Sequence, residues 1–151
     1  MSAIVAIYDA IEAMAPTHKA GVTVPCRDLN EYIETGVKSG DMPLRILMLP
    51  DSSTFDFTTL GTHAQTTWTL LDRFFYKPVA QGEGIRKAAF HLRAYMVSYI
   101  AAIRAGKAPT AQSGIQSATF TPRFDIEWPE GSGVKCFGVD TLLTIMEHIT
   151  T

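Results

Sequence analysis

Two cysteines, Cys26 and Cys136, are all that these 151 residues contain, and they lie far apart with no C-x-x-C spacing. They read as free buried thiols and not as a disulfide framework, a usage that fits a reducing cytoplasm. The four histidines, His18, His63, His91 and His148, have no H-x-H, H-x-x-x-H or H-E-x-x-H neighbour. No metal-ligand spacing therefore exists, and His91 reads as a satisfied helix histidine. Charge of one sign is also lacking: 13 Lys and Arg against 15 Asp and Glu leave −2 at pH 7. That balance excludes bulk attraction to nucleic acid or acidic membranes. The longest apolar run, Ala94 to Ile103 with Ser98 inside it, is bounded by Arg93 and Arg104. At about 1.5 Å per residue it is too short for the roughly 30 Å of a bilayer core. The N-terminal apolar stretch is interrupted by Asp9 and Glu12 and has no basic leader, so no signal peptide is expected. No internal repeat or low-complexity segment is visible.

What is present is a chain of ordinary domain length, 46% apolar and 19% charged, which suits one folded globular domain over 1–151. The clearest pattern lies at the C-terminus. Ala118, Phe120, Phe124, Ile126 and Trp128 alternate with Ser117, Thr119, Thr121, Arg123, Asp125 and Glu127. Alternation places one set on a buried face and the other in solvent. Pro129-Glu130-Gly131-Ser132-Gly133 is a dense turn signal, and a second strand follows with Phe137, Val139, Leu143 and Ile145 on one face. This hairpin predicts an antiparallel sheet and argues against a parallel nucleotide-binding sheet.

Earlier in the chain, Ser2 is placed to cap a short helix carrying Ile4, Ile7, Tyr8, Ile11 and Met14, which Pro16 ends. Val22 to Cys26 reads as a short strand broken by Pro25, and Asp28 to Thr35 as a helical turn before Gly36. Leu44 to Leu49 reads as a compact central strand. The polar segment 51–61, with Phe55 and Phe57 embedded in it, reads as a protruding loop or the tip of a long hairpin. Thr62 to Lys77 is a long strand whose even face holds Ala64, Trp68, Leu70, Phe74 and Tyr76, with Asp72 out of pattern. Leu71 and Phe75 interrupt its polar odd face, so its C-terminal end is expected to be covered on both sides. Ile85 to Ala105 is the main helix, with a stripe of Ile85, Ala89, Leu92, Met96, Tyr99 and Ile103, stopped by Gly106. The order predicts a two-layer α+β sandwich: an antiparallel or mixed sheet with one long and one short helix packed on it.

Catalytic signals are weak. Asp125, Glu127 and Glu130 cluster near the last hairpin, but the first two fall on the polar face of a strand. Ser53 and His63 lie near one another without a G-x-S-x-G elbow. Gly82-Glu83-Gly84 precedes a helix but lacks a phosphate-loop pattern, and Glu83 would repel phosphate there. Two surface features stand out instead. Arg86, Arg93 and Arg104 are spaced by 7 and 11 residues, which at about 100° per residue puts them on one helix face. They read either as a solvated face or as an inter-subunit contact, with Asp125 and Glu127 of a neighbouring copy as partners. Phe55 and Phe57 either anchor into a partner or bury themselves locally. No residues are singled out for catalysis, cofactor binding or metal binding.

Four stretches carry a resemblance: SAIVAIYDAIEAM, SGDMPLRILMLP, TTWTLLDRFFYKPVAQGEGIRKAAFHLRAYMVSYIAAI and the final hairpin. In these, and in its order of elements, the chain resembles the tail-terminator proteins of long-tailed bacteriophages, lambda-like minor tail proteins that cap the tail tube. The likeness spans nearly the whole chain and rests on fold pattern, not on a signature motif; the long 51–61 segment departs from shorter members. It implies a structural virion protein at the neck end of the tail, assembled in the host cytoplasm, that forms a homo-hexameric ring. Its implied partners are further copies of itself, the tail-tube protein and a head-completion or neck protein, with no catalysis, cofactor or membrane. DNA would pass through the ring without specific binding, which the slight negative charge suits. Thr66, Thr67 and Thr69, or Thr119 and Thr121, are expected to face a neighbour or the lumen. A head–tail connector is the near alternative, and a small ligand-binding or enzymatic α+β domain the distant one.

Overall fold

A computed structural model describes residues 3–56, 63–81, 84–105 and 114–150. The elements run α1 (Ala3–Glu12), β1 (Thr17–Lys19), β2 (Val22–Thr23), β3 (Cys26–Arg27), β4 (Leu44–Leu47), β5 (Ser52–Asp56), β6 (His63–Pro78), α2 (Ile85–Ala105), β7 (Gly114–Ile126) and β8 (Cys136–Thr150). Two helices lie on a six-stranded mixed sheet, so the protein is an α+β sandwich. Its main path runs β3-β4-β6-β8-β7, and β5 also pairs with β6. All pairs are antiparallel except β3 with β4, which is parallel. The final hairpin supplies both an edge strand and a central one, because β8 inserts between β6 and β7.

Strand alternation sorts the sheet's two faces. Leu70, Phe74, Tyr76, Val139, Leu143 and Ile145 point to the helical side, where they pack with Ile7 and Ile11 of α1 and Leu92, Tyr95 and Tyr99 of α2. Phe75 points the other way into a second cluster with Tyr32, Leu44, Ile46, Ile126 and Cys136. The expectation that the end of the long strand is covered on both sides is met there. The segment 29–43, which carries the 3-10 turn Leu29–Glu31, forms that second cover. Trp128 Nε1 donates to Tyr32 O at 2.9 Å and Val37 N donates to Trp128 O at 3.0 Å, tying this cover to the end of β7.

Several expectations are corrected. The buried stripe of α2 is Ala88, Leu92, Tyr95 and Tyr99, with Met96 and Ile103 half-buried. Ile85 and Ala89 are exposed, because the contact line runs through Ala88, Leu92, Tyr95 and Tyr99 and turns both residues to its sides. Phe124, expected inside, is 53% exposed. The β7–β8 register shifts between Arg123 and Ile126, and such a shift resets which residues point inward. Residues 52–56 are not an irregular loop but strand β5, paired from Ser52 opposite Thr69 to Asp56 opposite Gln65, as the hairpin alternative has it. The remainder of that segment lies outside the described residues, as does Ser2. In place of a described Ser2 cap, a Glu147 carboxylate oxygen from β8 accepts from Ile4 N at 3.2 Å.

Candidate functional site

Helix α2 is positioned by its aromatic inner face. Tyr95 stacks on Phe74 with ring centroids 4.0 Å apart, and Tyr99 meets Phe120 edge-on at 5.7 Å. The β1 strand packs along one flank, where Thr17 N donates to Ser98 Oγ at 2.8 Å. These contacts fix the helix in rotation and so decide what it turns outward.

The outward face is Arg86, Phe90, Arg93, Val97, Ile100 and Arg104. At about 100° per residue all six fall within roughly 40° of one line down the helix. All are exposed: Phe90 by 68%, Val97 by 62% and Ile100 by 43%. The three predicted arginines are thus brought onto one surface. None makes an ion pair with a described residue. The sequence reading missed the apolar residues between them. Their angular positions were legible, but an apolar residue on a helix is read as core by default. The helix carries four of the chain's 13 cations, including Lys87, and none of its 15 acids, so the remainder has nine cations against 15 acids. Large apolar side chains set among arginines, without acids, match the residue types enriched in interface cores.

Beneath α2 and α1 lies a buried polar brace. Arg45 Nη1 donates to Asp72 Oδ2 at 2.6 Å, and Tyr99 Oη donates to the same oxygen at 2.7 Å. Arg45 Nη2 donates to the carbonyls of Ile11, Glu12 and Met14 at 2.6, 3.0 and 2.7 Å. The guanidinium therefore caps the C-terminal end of α1, where the helix dipole favours a cation. Glu147 sits at the opposite end, accepting from Ile4 N and, at 3.1 Å, from Trp68 Nε1. Asp72, out of pattern in the sequence, is the brace's anion. Burial raises its pKa above the usual carboxylate value against the opposing pull of Arg45 and Tyr99. Burial lowers the Arg45 pKa, and the charges of Asp72, Cys26, Tyr95 and Tyr99 together more than reverse this, so it stands raised. Burial and then Asp72 hold the Tyr99 phenol well above its ordinary value.

Asp125 and Glu127 come together, but not with α2. They line a cleft of about 480 Å³ with Arg73, Arg123, Ile126, Trp128, Glu130 and Lys135. Its charges are largely matched within the chain. Arg73 pairs with Asp140 at 2.8 Å, Arg123 pairs with Asp140 at 3.2 Å and with Asp125 at 3.3 Å, and Glu127 accepts from Gly131 N at 2.8 Å. Within the chain Asp125 and Glu127 thus each accept a hydrogen bond, and the Asp125 side chain stays 57% exposed. A second, wholly apolar groove of about 250 Å³ runs between Ile4, Val5, Tyr8, Leu49, Pro50 and Trp68.

The remaining predicted positions divide. Phe55 is placed in β5 opposite Thr66, while its side chain and all of Phe57 lie outside the described residues. Thr66, expected at a neighbour or lumen, is buried on the helical side of the sheet. Thr67 and Thr69 lie half-buried on the other face, and Thr119 and Thr121 are exposed. Thr69, Thr144 and Ser117 form one cross-strand row of hydroxyl residues there, beside the row Leu71, Leu142 and Thr119. Among the described residues, no group of three His, Cys, Asp or Glu side chains is placed to hold a metal ion. No described helix is long and apolar enough to cross a membrane. No protein-family model matches the chain, and no curated protein matches it.

Proposed function

We propose that this chain is a structural subunit that assembles with copies of itself, as a tail-terminator protein does, capping a phage tail tube and presenting a surface to the head or neck. The observation that carries the proposal is the outward face of α2, where Phe90, Val97 and Ile100 stand exposed among three arginines that make no ion pair with a described residue. Leaving that much apolar surface in water is unfavourable by about 25 cal/mol per Å², and association relieves it. The α+β layering and the order of elements agree with the resemblance stated above. The cleft lined by Arg73, Arg123 and Asp125 gives less support to a ligand-binding role, because these three are paired within the chain, Arg73 and Arg123 with Asp140 and Arg123 with Asp125.

Electron microscopy and mass photometry of the purified chain test the assembly. Closed rings at micromolar concentration are expected; a monomer under all conditions would overturn the proposal. Disrupting the gene in the source virus then separates the roles. Tails of variable, excessive length without heads identify a terminator. Tails of uniform length without heads move the protein to the head–tail connector. Normal infectious particles sink the virion reading.

A further inference from the structure

We infer that the subunits join head to tail, the Arg86–Arg104 face of α2 in one copy seating on the acidic segment Asp28–Glu34 of the next. The inference rests on the self-assembling role proposed above and names the two surfaces that carry it.

The segment Asp28-Leu-Asn-Glu-Tyr-Ile-Glu34 is the charge inverse of the helix face. Asp28, Glu31 and Glu34 are exposed, and no cation lies among its seven residues, although Arg27 and Lys38 stand outside it. Ile33 projects between the two glutamates, 53% exposed. Each surface therefore has an apolar centre flanked by charges of one sign, positive on the helix and negative on the segment. Arginine suits this pairing, since its planar fork meets a carboxylate with two parallel hydrogen bonds.

Both surfaces are held in shape before they meet. Helix α2 is fixed by its buried tyrosines. In the acidic segment, one Asp28 carboxylate oxygen accepts from Asn30 N at 2.9 Å, and the buried Tyr32 is anchored to Trp128. Gly36 follows at φ +70, so close that an added Cβ would lie 2.6 Å from Trp128 O. Preformed surfaces lose less conformational freedom on binding. Elsewhere on the sheet, Asp125 and Asp140 already pair with Arg123 and Arg73 inside the same chain.

Their placement decides the symmetry. Helix α2 covers the Phe74 side of the sheet and the segment around Tyr32 covers the Phe75 side. Two different, complementary surfaces on opposite sides of one chain cannot satisfy each other in a two-fold dimer. They make a heterologous contact, which repeats until the rotation closes a ring or runs on as a filament.

Two charge-reversed variants test the assignment: Arg93→Glu with Arg104→Glu on the helix, and Glu31→Lys with Glu34→Lys on the segment. All four side chains are exposed, so circular dichroism and melting should match the wild type. Each variant alone is expected to lose self-association by about 100-fold or more, because like charges then face each other. An equimolar mixture is expected to reassemble, since each variant's altered surface fits the other's altered partner. If the wild type assembles and either variant assembles equally well alone, or the mixture stays dissociated, the surfaces are wrongly assigned and the ring proposal stands without them. A monomeric wild type removes both.

Discussion

Arg45 on β4 and Asp72 on β6 meet at 2.6 Å with neither side chain exposed to solvent. In the β4–β6 register Arg45 stands opposite Phe74, so Asp72 is its diagonal neighbour. Through this pair the end of α1, two strands and the Tyr99 hydroxyl of α2 share one charge contact.

Arg45→Ala is expected to destabilise the fold by about 3–5 kcal/mol, because it strands a buried carboxylate. Replacing both partners, Arg45→Met with Asp72→Leu, should cost less than the sum of Arg45→Met and Asp72→Leu alone. Urea denaturation measures the coupling; additivity within about 0.5 kcal/mol would show that the contact carries no shared energy. Both Arg45 variants should also lower amide protection in the last turn of α1, whose carbonyls lose their donor.

Glu147→Ala removes the acceptor shared by Ile4 N and Trp68 Nε1. The half-buried indole N–H then lacks this partner, and the helix loses a favourable anion at its positive end. A loss of about 1–3 kcal/mol is expected. Amide exchange should rise in the first turn of α1 and not in α2; equal increases in both would show general loosening instead.

Gly138→Ala is expected to disrupt the centre of the sheet. A Cβ at this position would stand 2.0 Å from Phe74 O and 2.7 Å from Ile126 Cδ1, and the first is backbone that has no rotamer to change. A cost of about 1–3 kcal/mol is the expected minimum for such overpacking. A melting temperature equal to the wild type would contradict the β6–β8 pairing at this point.

Burial, with the Glu127 charge added, pushes the Cys136 thiol from 9.0 up to about 11. In the folded chain the thiol stays protonated through pH 9, whereas in the unfolded chain it ionises near 9.0. Its contribution to stability is therefore complete below pH 9 and disappears between pH 9 and about 11. Wild type should lose stability across that window faster than Cys136→Ala, measured by urea midpoint against pH. Parallel profiles would remove Cys136 as the cause.

Much of the fold was legible because it depends on near neighbours in sequence. The long helix begins at Ile85 after Gly84 and ends at Ala105 before Gly106, as expected, because glycine interrupts the helical pattern at both ends. The long strand, expected at 62–77, occupies His63–Pro78, its ends blurred by one residue. The candidate interface was half legible. Spacing alone put Arg86, Arg93 and Arg104 on one line. That Phe90, Val97 and Ile100 share it with their side chains in water depended on which side of the helix the sheet would take. Phe124 was misplaced for a related reason: a register shift is a property of two strands, and one strand's alternation cannot show it.

By itself the sequence determined the two helices, the long strands with their approximate ends and the α+β class, because hydrophobic periodicity and turn residues act over a few positions; it did not show β1 or the division of Val22 to Cys26 between β2 and β3. Only the tertiary structure decided the strand order, the parallel β3–β4 pair, the rotation of α2 and the closure of Arg45 onto Asp72. Each of these joins residues distant in sequence. Several competing pairings satisfy the same local pattern, and the choice among them falls to burial and hydrogen bonding summed over the whole chain.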